Sequence, residues 1–473
     1  MKNSKNQVGI VAVLFVLVVI ALVWYLLFGA DTLQCMRSQK EAEQVESEQA
    51  EEKKILDISN VDEAYDAILN KSTKEFIGNH PIDEEFLGWF TTNYGLEQLE
   101  KIASYAELDD GQIWYEYTGR SVHVLWYDYC METGIQQYAY DKTYQKECRD
   151  PQKIVMNFTG DFSLAEGVGT TTYYHSVSDD ITQCLDDVLR QEMASADIMV
   201  INNEFVYSTR GQALLGKAYT FRGAPSTSKA LQTLGVDVAG LANNHVYDFG
   251  EIGLLDTLDT LKEQDIPYIG AGKNLEEAEE PVFFIANGKK IAIVAATQIE
   301  RSTNYTKEAT ENSPGVLKTL DSAKYVAQIA KAKRNADYVI CFVHWGTENT
   351  HQYGQDQVKL AKDFVTAGAD AVIGAHAHCL QGADMMEGVP VFYSLGNFYF
   401  SQEAEMPADY DTVMAQIVID ESGTLSARLL PCYFSQGKLS LVTEENKYRQ
   451  ILSDVESYSD HVSFDDEGYL VVH

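Results

Sequence analysis

Short apolar runs recur along this chain, and the polar residue that follows each one can ligate a cation or move a proton. The runs read IVMNFTG before Asp161, DIMVINN before Glu204, and VDVAGLA before Asn243, Asn244 and His245. They continue with DYVICFV before His344 and DAVIGA before His376, with His378 two residues on. Buried parallel strands read as continuous apolar segments rather than alternating ones. Ligands of open α/β sheets collect outside the carboxyl ends of such strands, which is where this pattern delivers its polar side chains.

Between the runs, helical periodicity predicts helices in DITQCLDDVLRQEMASA, STSKALQTLG, GEIGLLDTLDTLKEQ, DSAKYVAQIAKAKRN and QDQVKLAKDFVTAG. Some end at glycine, as helix C-termini often do. FFIANGKKIAIV reads as a hairpin with an Asn-Gly turn, and TVMAQIVIDESGTLSARLL as a hairpin turning at Glu421, Ser422 and Gly423. The predicted class is α/β (α+β): two packed mixed β-sheets flanked by helices over residues 151–440.

The remaining segments follow other patterns. Residues 8–28 carry no charge, and at about 1.5 Å per residue they can span a hydrocarbon core of roughly 30 Å. Lys2 and Lys5 precede this run, and Trp24 and Tyr25 sit near its far end. The positive-inside rule makes residues 1–7 cytoplasmic and residues 8–28 a single-pass transmembrane anchor, with the bulk of the chain extracytoplasmic at the cell membrane. The run exceeds the roughly 7–15-residue core of a cleaved signal peptide, and no A-x-A-like site follows. Gln34, before Cys35, is too bulky for a lipid-attachment site. Residues 29–54 form an acidic linker.

Residues 55–150 are predicted as a small accessory α+β domain. VDEAYDAIL and GLEQLEKIASYAEL read as helical, and IWYEYTGRSVHVLWYDYC as strand-like with a turn at Thr118, Gly119 and Arg120. His123 within it reads as a packed side chain. Residues 441–473 are polar and read as a loosely packed C-terminal tail.

A formal charge of -35 argues against a nucleic-acid surface, because phosphate contact needs basic patches. It also disfavours docking of the folded part on anionic lipid. Metal ions or cationic partners suit it, and a soluble, self-repelling exterior explains it equally well. The seven cysteines form an odd set. Cys130 and Cys148 are the one pair close in sequence within a region, Cys341 and Cys379 read as small core residues, and no disulfide framework is indicated.

Each candidate site residue has a structural reading beside the chemical one. In a strand, His376 and His378 face the same side, so both imidazoles can reach one metal pair. A lone pair of this kind usually means packing; His344, ending an independent run, shifts the balance toward ligands. Asn244 offers an amide oxygen, and His245 beside it can donate a proton to a leaving oxygen, with Asp248 orienting a ring nitrogen. The alternative for Asn243, Asn244 and His245 is an Asx turn that starts the next helix.

Asp161 reads as a helix cap or a ligand, and Glu204 as a carboxylate able to bridge two cations about 3.5–4 Å apart. This mixture of carboxylate, amide and imidazole suits one or two divalent ions, Mn, Fe or Zn rather than Mg or Ca. Arg222 can clamp an anionic substrate group, with Asn243 and Glu348 as further substrate-binding candidates, whereas Arg210 reads as an ordinary salt bridge. Ser394 lacks the G-x-S-x-G elbow of a serine nucleophile, so Ser394-Leu395-Gly396-Asn397-Phe398 reads as a buttress of the site.

Taken together, these residues resemble the CapA family of bacterial capsule-synthesis proteins, whose fold is that of the calcineurin-like metallophosphoesterases. The resemblance rests on Gly160-Asp161, Asn202 with Glu204, and Tyr219 with Phe221 and Arg222. It continues through Leu241 to His245 with Asp248 and Gly250, then Gly270-Ala271-Gly272, His344-Trp345-Gly346 with Glu348, Gly374 with His376, His378 and Gln381, and Ser394 to Phe398. The matches keep the family's order from about Lys153 to Ser401.

The resemblance implies Asp161 and His378 on one metal, Glu204 as the bridge, Asn244, His344 and His376 on a second metal, and His245 as the acid. Two positions depart from the phosphoesterase pattern: Ser163 replaces the imidazole of Asp-x-His, and Glu204 is longer than the usual Asp. A single-metal centre therefore stays open beside a two-metal one.

The expected function is a membrane-anchored protein serving synthesis or export of an anionic capsule polymer of the poly-γ-glutamate kind, beside a membrane polymer synthase. A metal-dependent hydrolase-type site is expected within it. A cell-surface phosphoesterase and a non-catalytic polymer-binding scaffold are the competing readings, because architecture alone does not define a reaction.

Overall fold

The structure, a computed structural model, describes residues 60–69, 84–105, 112–118, 142–300 and 305–473, and residues 122, 125, 129 and 133 singly. The expected anchor, the acidic linker, Cys35, His123 and Cys130 lie outside the described residues. Among the described residues no helix is long and apolar enough to cross a membrane.

Two large sheets account for most of the apolar runs. One has the spatial order Lys438–Leu441, Leu425–Ser435, Tyr410–Asp420, Lys153–Phe162, Ile198–Asn203, Val238–Gly240 and Tyr268–Ile269, with Asn397–Tyr399 also paired to Lys153–Phe162. Its last four strands run parallel, while Tyr410–Asp420 is antiparallel to Lys153–Phe162. The other sheet has the order Thr143–Lys146, Val282–Ala286, Lys289–Thr297, Tyr338–His344, Ala371–Ala375, Val389–Phe392 and Ala383–Met386. Its four strands from Lys289–Thr297 to Val389–Phe392 are parallel. The expected Asn-Gly hairpin is present, with positive φ at Asn287 and Gly288 as the tight turn requires.

Side-chain alternation stacks these sheets. Ile198 and Val200 of one meet Ile340 and Phe342 of the other in a shared apolar core, where Phe158 and Phe342 pack edge to face at 6.0 Å. The intervening residues point outward: Met199 and Ile201 meet Leu189, Leu254 and Leu258, while Val339, Cys341 and Val343 meet Tyr325, Ile329 and Phe364. The helix Ala323–Lys333 buries Tyr325, Gln328, Ile329 and Ala332, the 3–4 spacing of one helical face. Fully burying each large apolar side chain contributes about 1.5–3 kcal/mol, so both faces of each sheet are held by helix or sheet contact. The result is a mixed α/β architecture of several sheets flanked by helices.

Three expectations change. Ile113 to Tyr117, read as strand-like, lie in a helix, Gln112–Thr118, in which Trp114 packs against Phe86 at 5.9 Å and Phe90 at 5.1 Å. Aromatic packing outweighs their β-propensity. Thr143–Lys146, from the stretch assigned to the accessory domain, is an edge strand paired with Val282–Ala286. The expected loose tail is packed: helix Glu445–Ser457 buries Ile451, Leu452 and Val455 in the inter-sheet core, and Val462–Phe464 pairs with Leu470–Val472. An apolar stripe spaced for a helix is hidden there in a polar composition.

The chain divides into two compact units, residues 1–71 with 100–109 and residues 72–99 with 110–473. In the first, the expected helix is Val61–Leu69, with Ala64 and Ile68, one turn apart, buried. The second contains both sheets. Its cysteines 148, 184, 341, 379 and 432 are free; Cys341 is buried and Cys379 half-buried.

Candidate metal centre

Parallel strands of both sheets end at one place, and alternation decides which side chains turn into it. Ile198 and Val200 face the inter-sheet core, so the period of two carries Asn202 and Glu204 onto the same face. Ile340 and Phe342 do the same for His344.

Asp161 obeys a different device. Phe158 pairs with Val200, yet Asp161 pairs with Asn202, so three residues of one strand advance against two of its neighbour. This β-bulge flips the parity and turns Asp161, which would otherwise point to the helix-covered layer, toward Asn202. Gly160 makes the bulge fit: a Cβ there would lie 1.9 Å from the carbonyl oxygen of Gly396.

The histidine pair is not delivered by strand alternation as expected. The strand ends at Ala375, and both His376 and His378 sit beyond it at positive φ, 96° and 54°. Such conformations cost about 1–3 kcal/mol each and persist where surrounding contacts impose them. Here the His376 N–H donates to both Asp161 oxygens, at 3.2 and 3.3 Å, and His378 Nδ1 sits 3.0 Å from Asp161 Oδ2 and 2.8 Å from Asn397 Oδ1.

The six expected ligands converge. His344 Nε2 lies 2.8 Å from Asn244 Oδ1, 3.0 Å from His376 Nδ1 and 3.3 Å from Glu204 Oε1. Glu204 Oε1 is 4.0 Å from His378 Nε2. Ligands held about 2.0–2.1 Å from a tetrahedral ion stand roughly 3.3 Å from one another, so this spacing fits a cation among them. Among the described residues, Glu204 Oε1 and His378 Nε2 are both buried without a hydrogen-bond partner, and a buried polar atom left unpaired is costly. Glu204, His344 and His376 form one group able to hold a metal ion, and Asp161, Glu204 and His378 a second.

For His344 and Asp161 protonation agrees with ligation, whereas Glu204 and His378 are both raised toward their protonated forms in the metal-free site. Burial depresses His344, to about 3, leaving a neutral imidazole with a lone pair to offer. Burial would raise Asp161, but the His378 hydrogen bond and charge, followed by His344 and Asn202, outweigh it and lower its pKa. Burial and the neighbouring Asp161 charge push Glu204 well up.

His245 stands beside these groups rather than in them. Its Nδ1 meets Asp248 Oδ2 at 2.7 Å, and burial lowers its pKa despite that carboxylate. Phe221 packs on the His245 ring at 4.4 Å and Phe400 on the His378 ring at 4.6 Å, and the two phenylalanines meet edge to face.

The other candidates take varied places. Asn243 makes the Asx turn, its Oδ1 accepting from the N–H groups of His245 and Val246. Its Nδ2 donates to Asn202 Oδ1 and Asn203 O. Both donors and both lone pairs are thereby engaged within the protein and the residue is fully buried. Arg222 lies with its guanidinium 4.0 Å from the Phe249 ring centre and donates to the carbonyls of Arg210 and Gly211. Arg210 forms the expected salt bridge, to Asp256. Glu348 is exposed, with its carboxylate grouped with His376 and His378. The Ser163 hydroxyl accepts from the Ala165 N–H.

Sequence reasoning assigned no site role to two contributors, Asn202 and Lys217. Asn202 donates to Asp161 at 2.7 Å; the Asn-Asn pair ending its apolar run was the available signal. Lys217 Nζ lies 2.7 Å from Asp248 Oδ1 and 2.9 Å from Glu300 Oε1, and also donates to the Asn244 carbonyl. No motif marks Lys217.

The family model described as bacterial capsule synthesis protein PGA_cap matches residues 155–402. The capsule biosynthesis protein CapA of Bacillus anthracis is 35% identical over 236 residues, 48% of this chain and 56% of that protein. The PGA biosynthesis protein CapA of Bacillus subtilis strain 168 is 34% identical over 197 residues, 41% of this chain and 50% of that protein. The chain spans about half the length of the curated relatives it matches. A solved structure, that of TT1561 from Thermus thermophilus, aligns over 58% of this chain and 97% of its own, with 11% identity and a TM-score of 0.32.

Proposed function

This chain belongs to the bacterial capsule synthesis protein PGA_cap family, that of CapA, and from that premise we propose a membrane-anchored, extracytoplasmic role. The protein serves synthesis or export of an anionic surface polymer of the poly-γ-glutamate kind, beside a membrane synthase. It carries a metal-dependent, hydrolase-type site on a metallophosphoesterase-like fold. The observation that carries the site reading is the pair of buried ligand atoms, Glu204 Oε1 and His378 Nε2, that have no hydrogen-bond partner among the described residues and face an otherwise hydrogen-bonded cluster.

Asp161, Glu204, Asn244, His344, His376 and His378 hold the ion or ions. Such an ion, of the Mn, Fe or Zn kind, would supply Lewis-acid polarisation and acidify a bound water. His245, in its protonated form, gives its Nε2 proton to the leaving oxygen and regains one from the water consumed, and Asp248 fixes the ring by accepting from Nδ1–H. Phe221 and Phe400 hold the two imidazoles in place and keep water from their faces. Arg222, carried on the Phe249 ring, meets an anionic group of the substrate.

Hydrolysis is tested by challenging the full-length chain, loaded with Mn2+, with a phosphodiester and with polyglutamate, alongside His245→Asn. Product release by the unaltered chain that drops on the order of 10²-fold or more in the variant supports catalysis. Release from the phosphodiester alone favours a cell-surface phosphoesterase. Binding of polymer without cleavage of either substrate favours a non-catalytic scaffold, a reading aided by the Ser163 hydroxyl being engaged at Ala165. Anchoring is tested by fractionation: removal of residues 1–28 should release the chain from membranes, and no change on removal contradicts the anchor.

A further inference from the structure

We propose that Glu348 ligates a divalent cation together with His376 and His378, forming a solvent-facing position at the mouth of the centre. The proposal rests on the metal reading above and adds a ligand to it. The Glu348 carboxylate has ligand atoms within 4.8 Å of those of both histidines, yet Glu348 is exposed whereas His376 is buried. The three side chains therefore line a position reached from solvent.

Backbone contacts fix this arrangement. The loop after His344 is tied to the histidine loop by the Asn349 N–H donating to Ala377 O at 2.8 Å, and by Trp345 N–H to Ala375 O at 3.1 Å. Positive φ at Gly346 and Asn349 folds that loop back over His376 and His378. Glu348 lies between the two ties.

A second observation points to a ligand. The His378 side chain is 4% exposed, its Nδ1 is occupied by Asp161 and Asn397, and its Nε2 has no hydrogen-bond partner among the described residues. Charge balance points the same way. The ion pairs of Asp161 and Glu204 among the described residues are with histidines, while Lys217 pairs with Asp248 and Glu300. A third carboxylate in this place would repel an anionic substrate unless a cation lay beneath it. Two nitrogens and one carboxylate oxygen suit a borderline divalent ion, and leave positions open to water or to an anionic substrate oxygen. Each open imidazole nitrogen has one lone pair to give, so Glu348 completes the ligand set of the outer, more weakly held of the ions that His376 and His378 serve.

The test is Mn2+ binding to the full-length chain, followed by calorimetry and by the electron paramagnetic resonance of free Mn2+. Glu348→Gln should weaken the weaker of two affinities about tenfold or more and leave the tighter one unchanged. Glu403→Gln, which removes an exposed carboxylate that accepts from Tyr219, should change neither. Unaltered affinities in Glu348→Gln overturn the assignment, as does an equal loss in Glu403→Gln, which would report charge alone. An unaltered chain that takes up no Mn2+ or Zn2+ overturns the metal reading itself, a result distinct from failure of Glu348. Because Glu348 is exposed, the metal-free unfolding midpoint of the variant should match that of the unaltered chain.

Discussion

Lys217 Nζ stands 2.7 Å from Asp248 Oδ1, and the other oxygen of that carboxylate holds His245 Nδ1 at 2.7 Å. The lysine side chain is 8% exposed and Asp248 is fully buried, so this pair lies out of bulk water. Glu300 shares the same ammonium, and the Asp248 carboxylate also accepts from the Phe221 N–H. A charge, an orienting carboxylate and an imidazole thus form one chain.

Removing the ammonium leaves two buried carboxylates without their cation. Lys217→Met should therefore destabilise the fold by about 3–5 kcal/mol, the usual cost of breaking a buried pair from one side. Urea unfolding of the metal-free protein measures this. A loss below about 1 kcal/mol would show that the network is not held by Lys217.

Gly160 tests the bulge. A Cβ at that position meets the Gly396 carbonyl at 1.9 Å, and backbone cannot yield as a flexible side chain can. Gly160→Ala should cost about 3 kcal/mol or more and weaken metal binding by rotating Asp161 away. Gly235→Ala tests backbone strain without crowding, because a Cβ there meets nothing within 4 Å although φ is +70°. It should leave metal affinity unchanged. Equal metal affinities in the unaltered chain and Gly160→Ala would sink the bulge argument.

Asn397 holds His378 by its Nδ1 at 2.8 Å, an orientation that aims Nε2 at the ligand cluster. Loss of such a supporting hydrogen bond typically lowers metal affinity about 10–100-fold. Asn397→Ala should show this in Zn2+ competition titrations, with little change in the unfolding midpoint of the metal-free protein.

Lys290 supplies a pH signature away from the site. It is buried, with its ammonium 4.2 Å from the Phe283 ring centre, and burial, only partly offset by Asp337, lowers its pKa to about 7. Between about 7 and about 10.5 the unfolded chain holds the proton and the folded chain does not. Stability from this group therefore rises as pH climbs through that window and is lowest below it. Lys290→Met should gain on the order of a few kcal/mol near pH 6, with the gain shrinking toward pH 10. A gain independent of pH, measured by denaturation across that range, would show that the amine is not the cause.

Much of the site was legible because buried parallel strands write themselves as apolar runs, and His344, Glu204 and Asn244 follow theirs directly. Asp161 ends the right run for an incomplete reason: without the extra residue at Thr159 and Gly160 its parity is wrong, and no local propensity reports a bulge. His376 and His378 converge through left-handed backbone imposed by Asp161 and by the neighbouring strand ends, contacts distant in sequence. Lys217 is silent in the sequence because its partners come from Asp248 and Glu300, each joined to it only by the tertiary fold. The helix Gln112–Thr118 and the packed helix Glu445–Ser457 escape the sequence pattern for a related reason: aromatic and apolar contacts, not composition, decide them.

The proposed function has Asp161, Glu204, Asn244, His344, His376 and His378 holding a divalent metal ion, and metal content tests that proposal most directly. Full-length chain purified without chelators, loaded with Mn2+ or Zn2+ and desalted, should retain one to two ions per chain by plasma mass spectrometry. The paired variant His344→Ala with His376→Ala, which removes two ligands of one group and leaves Asp161, Glu204 and His378, should retain fewer ions than the unaltered chain while still unfolding cooperatively. An unaltered chain that retains no ion, or a variant that retains as many as the unaltered chain, would contradict the account.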